Sequence, residues 1–245
     1  MGLQVKGLTK KFKDFIAVDE ITFNVEDGEI LGLLGENGAG KTTTLRMIAT
    51  MLKTSAGTAI VDGFDVNKNP TEVRKSIGIL FGGEVGIYDR LSARENITYF
   101  GQLSGMTKKE INENMEKLIV DFEMQEYIDK RAGKFSRGMK QKVSIARSII
   151  HNPKVMLFDE PSTGLDVSAT RAVQQFILNC KKENKAVILS SHSMYEVERL
   201  CDKVAIINKG KIIDIGTIQE LKDKYNEQDL EELFIMLIGG GNSNE

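Results

Sequence analysis

The sequence predicts an α/β fold: a mainly parallel sheet entered from edge-sheet elements, with a helical insert between two strands. Three observations predict it. Continuous apolar runs of strand length at 30–34, 155–158 and 186–190 alternate with stretches of helical composition, the pattern of a parallel sheet buried on both faces. Strand signals vanish between about 92 and 150, where amphipathic helical patterns take over. A glycine-rich segment, "GENGAGKTT" at 35–43, joins the first apolar run to the first helical stretch.

In chain order, "ITFNV" at 21–25 alternates like a half-buried strand, "EDGE" turns, and "ILGLL" at 30–34 is a buried strand. Residues 42–52 have helical composition, "TSAG" breaks it, and "TAIVDGFDV" reads as a short hairpin around Asp62-Gly63. The strand "IGILF" at 77–81 follows, and then the helical subdomain, about 86–150, with "ARENITYFGQLSGM" and "KKEINENMEKLIVDF" as its amphipathic stretches. Beyond it lie the strand "VMLF", a helix across 167–183, the strand "AVILS" and a hairpin turning at Lys209-Gly210. Residues 1–220 form one domain on this reading, and 221–245 a C-terminal helical segment with a flexible tail, "GGGNSNE".

With 245 residues and 41% apolar content the chain can bury a full core. A formal net charge of −2 argues against a surface built mainly to hold nucleic acid. The two cysteines, Cys180 and Cys201, stand too far apart in sequence for a close metal-ligand motif and read as buried free thiols. No apolar run approaches the roughly 20 residues needed to cross a bilayer. The expected location is cytoplasmic, with any membrane role supplied by a partner.

The segment 35–43 fits G-x-x-x-x-G-K-[ST] in the strand-to-helix setting that gives this pattern its physical meaning. Glycines let successive N–H groups point inward, and the following helix adds about half a positive charge at its N-terminus. Gly35, Glu36, Asn37, Gly38, Ala39, Gly40, Lys41, Thr42 and Thr43 are the candidate contacts for a nucleotide triphosphate. Lys41 would reach the β- and γ-phosphates, and the Thr42 hydroxyl would ligate Mg²⁺. "VMLFDE" at 155–160 supplies the acidic strand end such a site needs: Asp159 for the Mg²⁺ shell and Glu160 to orient or deprotonate water.

With these motifs in place the sequence resembles the ATP-binding subunits of ABC transporters, whose fold is a P-loop NTPase core with a mainly parallel sheet, an antiparallel β subdomain and an inserted helical subdomain. "FSRGMKQKVSIAR" at 135–147 is similar to a variant of that family's signature, "STGLD" at 162–166 to its D-loop, and "SSH" ending at His192 to its switch histidine. The resemblance implies ATP and Mg²⁺ as ligands, ATP hydrolysis, a head-to-tail homodimer and an integral-membrane permease as partner on the inner face of the cell membrane. It also implies that Ser136, Gly138 and Asp166 of one copy meet the nucleotide held by the other. Read from the residues alone, Ser136 is an N-cap that prepares an anion-binding helix start. His192 would sense the γ-phosphate, and His151 in "HNPK" reads as a solvated helix end. Phe12 stands where the family stacks an aromatic ring on adenine; the alternative for it is one more core aromatic. Within the family, "LFGGE", "YDRLSARENITYFGQL" and "LEELFIMLIG" resemble the NatA-type ATPases of bacterial two-component sodium exporters, which implies sodium as the substrate; the alternatives are the ATPase of a drug or lipid exporter, or a soluble ABC ATPase acting on the ribosome or DNA.

One stretch departs from the family pattern. Where "IGILFGGE" ends, the family carries a glutamine, and this chain has Gly82 or Gly83. Glu84 is then a candidate further metal ligand, a partner-facing loop residue, or a surface acid after a turn.

Overall fold

The computed structural model describes residues 2–81 and 86–239. The chain opens with β1 (Leu3–Phe12) and β2 (Phe15–Val25), then β3 (Ile30–Leu34) and α1 (Lys41–Ile48). Next come β4 (Ala56–Val61), β5 (Phe64–Asp65), α2 (Pro70–Ser76) and β6 (Ile77–Phe81). The helices α3 (Ala93–Leu103), α4 (Lys108–Asp121) and α5 (Arg137–Ile149) are followed by β7 (Val155–Asp159), α6 (Val167–Lys182) and β8 (Ala186–Ser191). The last elements are α7 (Met194–Leu200), β9 (Lys203–Asn208), β10 (Lys211–Thr217), α8 (Ile218–Tyr225) and α9 (Leu230–Gly239).

Two sheets form. The larger has the order β10-β9-β3-β8-β7-β6, parallel throughout except for the antiparallel edge strand β10. The smaller, β2-β1-β4-β5, is antiparallel. Alternate residues of the central strands enter different cores. Leu31, Leu157 and Ile188 face Leu3, Val5 and Leu8 of β1, whereas Phe158, Val187 and Leu189 face Val173 and Ile177 of α6. This division explains why the parallel strands read as unbroken apolar runs. The helices α3, α4 and α5 gather a core of their own, among them Ile97, Met115 and Val143. Capping boxes start α3 at Ser92 and Glu95 and α4 at Thr107 and Glu110.

The α/β class, the mainly parallel sheet and both hairpins agree with the sequence expectation. β1 was not anticipated, because its alternation is interrupted: the register shifts between Val5 and Leu8, so Leu3, Val5 and Leu8 are all buried despite uneven spacing. The helix expected over 42–52 stops at Ile48, two residues before Thr50 takes a left-handed backbone with φ 58°. Gly82, Gly83 and Glu84 lie outside the described residues, as does the "GGNSNE" end of the tail.

His151 corrects the sequence reading. Instead of a solvated helix end it is a half-buried ring whose Nε2 lies 2.9 Å from the Ile77 carbonyl, tying the end of α5 to the start of β6. Nε2 is therefore the donor, and Nδ1 is buried with no partner among the described residues. Burial pulls its pKa below the ordinary value of 6.5 more strongly than the Ile77 carbonyl raises it. The unfolded chain thus binds the proton first, so stability is intact above pH 6.5 and falls as the pH drops below it. Urea unfolding of wild type and His151→Gln at pH 7.5 and about 5.5 should show a smaller acid loss in the variant.

Candidate active site

β3 delivers the chain to the glycine-rich loop and α1 leaves it. At Gly40 the backbone has φ 110°, and a Cβ there would lie 2.6 Å from the Ala17 carbonyl of β2. Only glycine satisfies both demands. The loop is closed by Ala39 N–H donating to Glu36 O at 3.1 Å and is held to the β9–β10 turn by Gly210 N–H donating to Ala39 O at 2.9 Å.

Lys41 is 5% exposed. Its ammonium donates to the carbonyls of Gly35 at 2.6 Å and Glu36 at 3.1 Å, and lies 3.9 Å from Glu160 Oε1. Burial lowers its pKa, opposed by the carboxylates of Glu160 and Asp159. A buried cation resting on its own loop is a ready counter-charge for a phosphate entering that loop. Beside it, the Thr42 hydroxyl donates to Asp159 Oδ1 at 3.1 Å, and the Ser190 hydroxyl donates to the same oxygen at 2.5 Å. Among the described residues no cluster of three or more His, Cys, Asp or Glu could hold a metal ion. Thr42 and Asp159 together offer two hard oxygens, which suits Mg²⁺, a cation that keeps several waters and takes its remaining ligands from phosphate.

Glu160 follows β7 with φ 49°, a left-handed conformation that costs a non-glycine residue about 1–2 kcal/mol. Its N–H donates to Ser190 O at 3.0 Å, and its Oε2 lies 3.3 Å from His192 Nδ1. The acid is thus aimed by β8 as well as by its own strand. The two histidines part company: His192 belongs to the site, and His151 does not.

Phe12 is 44% exposed and is not a core aromatic. It pairs across the hairpin tip with Phe15, and both rings line a cavity of about 300 Å³ together with residues 36–38, 40–43 and Glu160. The sequence reading missed Phe15 and Ser190. The signal for Ser190 was present, as the hydroxyl closing an apolar strand, but nothing local pointed to its partner.

Ser136 and Gly138 do not line this cavity. Ser136 caps α5, accepting from Met139 N–H at 3.2 Å, and a Cβ at Gly138 would meet nothing within 4 Å. Arg137 Nη1 donates to the Gly164 carbonyl at 3.2 Å. Asp166 caps α6 by accepting from Ala169 N–H at 2.8 Å, and borders a cleft between α5 and α6 with Gly138. The helix start at 136–138 therefore presents an open surface outside the cavity of the chain's own phosphate loop.

Residues 18–163 match the family described as ABC transporter. The chain is 48% identical over 219 residues to the ABC transporter ATP-binding protein NatA of Bacillus subtilis (strain 168), covering 89% of each. It is 35% identical over 229 residues to the doxorubicin resistance ATP-binding protein DrrA of Mycobacterium tuberculosis, covering 93% of this chain and 69% of that one. A solved structure of an ATP binding subunit of an ABC transporter superposes with a TM-score of 0.87 at 27% identity, covering 97% of this chain and 99% of the other.

The cavity geometry makes Phe12 the test of base stacking. Phe12→Ala should weaken ATP binding about tenfold by fluorescent-nucleotide titration, at the lower end of what one base stack contributes, while Phe12→Tyr should bind like wild type.

Proposed function

This chain belongs to the ABC transporter family as an ATP-binding, ATP-hydrolysing subunit, and on that premise we propose how its residues work and what they drive. Two copies bind two Mg-ATP head to tail, hydrolyse them to ADP and phosphate, and power an integral-membrane permease at the inner face of the cell membrane. No helix among the described residues is long and apolar enough to cross a membrane, and the proposed permease supplies the pathway. The observation that carries the catalytic reading is the cluster at one sheet edge: Lys41, the Thr42–Asp159 pair, and Glu160 beside His192.

The loop 35–43 binds the phosphates through its N–H groups, and Lys41 turns from its own carbonyls to the β- and γ-oxygens. Thr42 and Asp159 would hold Mg²⁺, which would neutralise charge on the phosphate oxygens. Ser190 keeps Asp159 oriented. Glu160 takes a proton from the attacking water, and His192, against Glu160 Oε2, senses the γ-phosphate. Phe12 stacks on adenine. Ser136 and Gly138 of the second copy cover the phosphates with the N-terminus of α5, in keeping with their absence from the loop's own cavity within one chain, and Asp166 stands at the same boundary.

Sodium is the substrate we favour, because the 48% identity to the NatA protein spans nearly all of both chains. Export of a drug or lipid is the second reading, favoured by the match to the doxorubicin resistance protein.

Glu160→Gln should retain ATP binding, run as a dimer in ATP on gel filtration and release phosphate ~10²-fold more slowly or worse, the range for a lost acid/base. Normal steady-state turnover in this variant would overturn the assignment. Inverted vesicles carrying the chain with its permease should accumulate radiolabelled sodium on ATP addition. Accumulation of doxorubicin without sodium would favour the second reading.

A further inference from the structure

One buried carboxylate has no part in the chemistry above. Glu196, on the first turn of α7, is 4% exposed, and among the described residues no cation pairs with it. Burying a charge without a counter-ion is costly unless hydrogen bonds hold it, so its partners are informative. They are two hydroxyls from different chain segments, one in the turn after β7 and one at the end of β8. Ser162 donates to Oε1 at 2.6 Å, and Ser191 donates to Oε2 at 2.7 Å.

Those segments lead into or out of the positions of Glu160 and His192. Ser162 stands two residues after Glu160, in the turn that leads through Gly164 and Leu165 to α6. Ser191 immediately precedes His192. The N–H of Ser193, on the other side of His192, donates to Ser191 Oγ at 3.1 Å, and the Ser193 hydroxyl accepts from Glu196 N–H at 3.3 Å. The backbone on both sides of the histidine is therefore tied to Glu196. Beneath this bridge, the pairing of β7 with β8 fixes the strand ends, Asp159 opposite Ser190. The β7–β8 pairing ends with the bond from Glu160 N–H to Ser190 O, and Glu196 spans the gap that follows.

We propose that Glu196 is a positioning residue: its carboxylate clamps the 160–166 turn to the 191–193 loop and so sets the approach of Glu160 to His192. The clamp gives the 162–166 turn a direct mechanical link to the histidine. A displacement of Ser162 pulls on the same side chain that holds Ser191. The inference rests on the assignment of Glu160 and His192 given above.

The test is a set of variants assayed for ATP affinity, turnover and thermal unfolding. Glu196→Ala should lower kcat by on the order of 10²-fold, as for a misplacement of about 1 Å, with little change in KM for ATP. Glu196→Gln, which offers one acceptor and one donor to two rotatable hydroxyls, should restore most of the rate. Ser162→Ala and Ser191→Ala keep the question open to measurement should Glu196→Ala fail to fold. Each should lower kcat, and the double variant should lose less than the product of the two single losses, because the clamp fails when either end is released. In a Glu160→Gln background, Glu196→Ala should leave the residual rate unchanged while lowering the unfolding temperature as it does in wild type.

A kcat within twofold of wild type in Glu196→Ala and both serine variants would sink the proposal. So would multiplicative losses in the double variant, or a further fall in rate in the Glu160→Gln background, since each marks an effect not exerted through Glu160. If Glu160→Gln itself turns over normally, it is the underlying catalytic assignment that fails, a different result from an inert Glu196 beside an essential Glu160.

Discussion

The constraint on which the rest depends is the parallel register of β3, β8 and β7. Leu34 pairs with Ser191, and Asp159 pairs with Ser190. Parallel strands end on the same side, so three chain segments far apart in sequence release their loops at one edge. The glycine loop leaves β3, the acidic turn leaves β7, and the histidine loop leaves β8. A one-residue slip would reverse the faces of an entire strand, moving Asp159 away from Thr42 and sending Phe158 to the wrong core. Apolar burial on both faces holds the register, and the register holds the chemistry.

At that edge the charges are arranged by partner. Lys41 rests on two carbonyls and faces Glu160. Asp159 accepts from two hydroxyls, and Glu196 accepts from two others. Three carboxylates thus sit near a site for a polyanion, each held by neutral donors or by the buried Lys41. Such donors orient an acid without cancelling its charge, which leaves Asp159 able to hold a cation and Glu160 able to accept a proton. The left-handed backbone at Glu160 belongs to the same design, because it turns the acid out of the strand line toward His192.

Much of the candidate site was legible in the sequence because its parts are local. A glycine loop between strand and helix, an acid pair ending an apolar strand, and an N-cap serine before a helix each carry their meaning within ten residues or so. Phe12 was legible only in part: the ring could be named, but its exposure at the hairpin tip and its pairing with Phe15 came from the strand register. His151 was misread for the same reason. Its chain neighbours look like a solvated helix end, whereas the Ile77 carbonyl that buries it lies 74 residues away.

By itself the sequence determined the class of fold and the phosphate chemistry, since apolar period and glycine spacing dictate which backbone faces are buried and where N–H groups converge. The tertiary structure alone decided which hydroxyl meets which carboxylate: Ser190 with Asp159, Ser162 and Ser191 with Glu196. Periodicity specifies that a residue is inside but not what it touches there. A serine at a strand end has the same local pattern whether it faces water or a buried acid, and only the register of the sheet distinguishes the two.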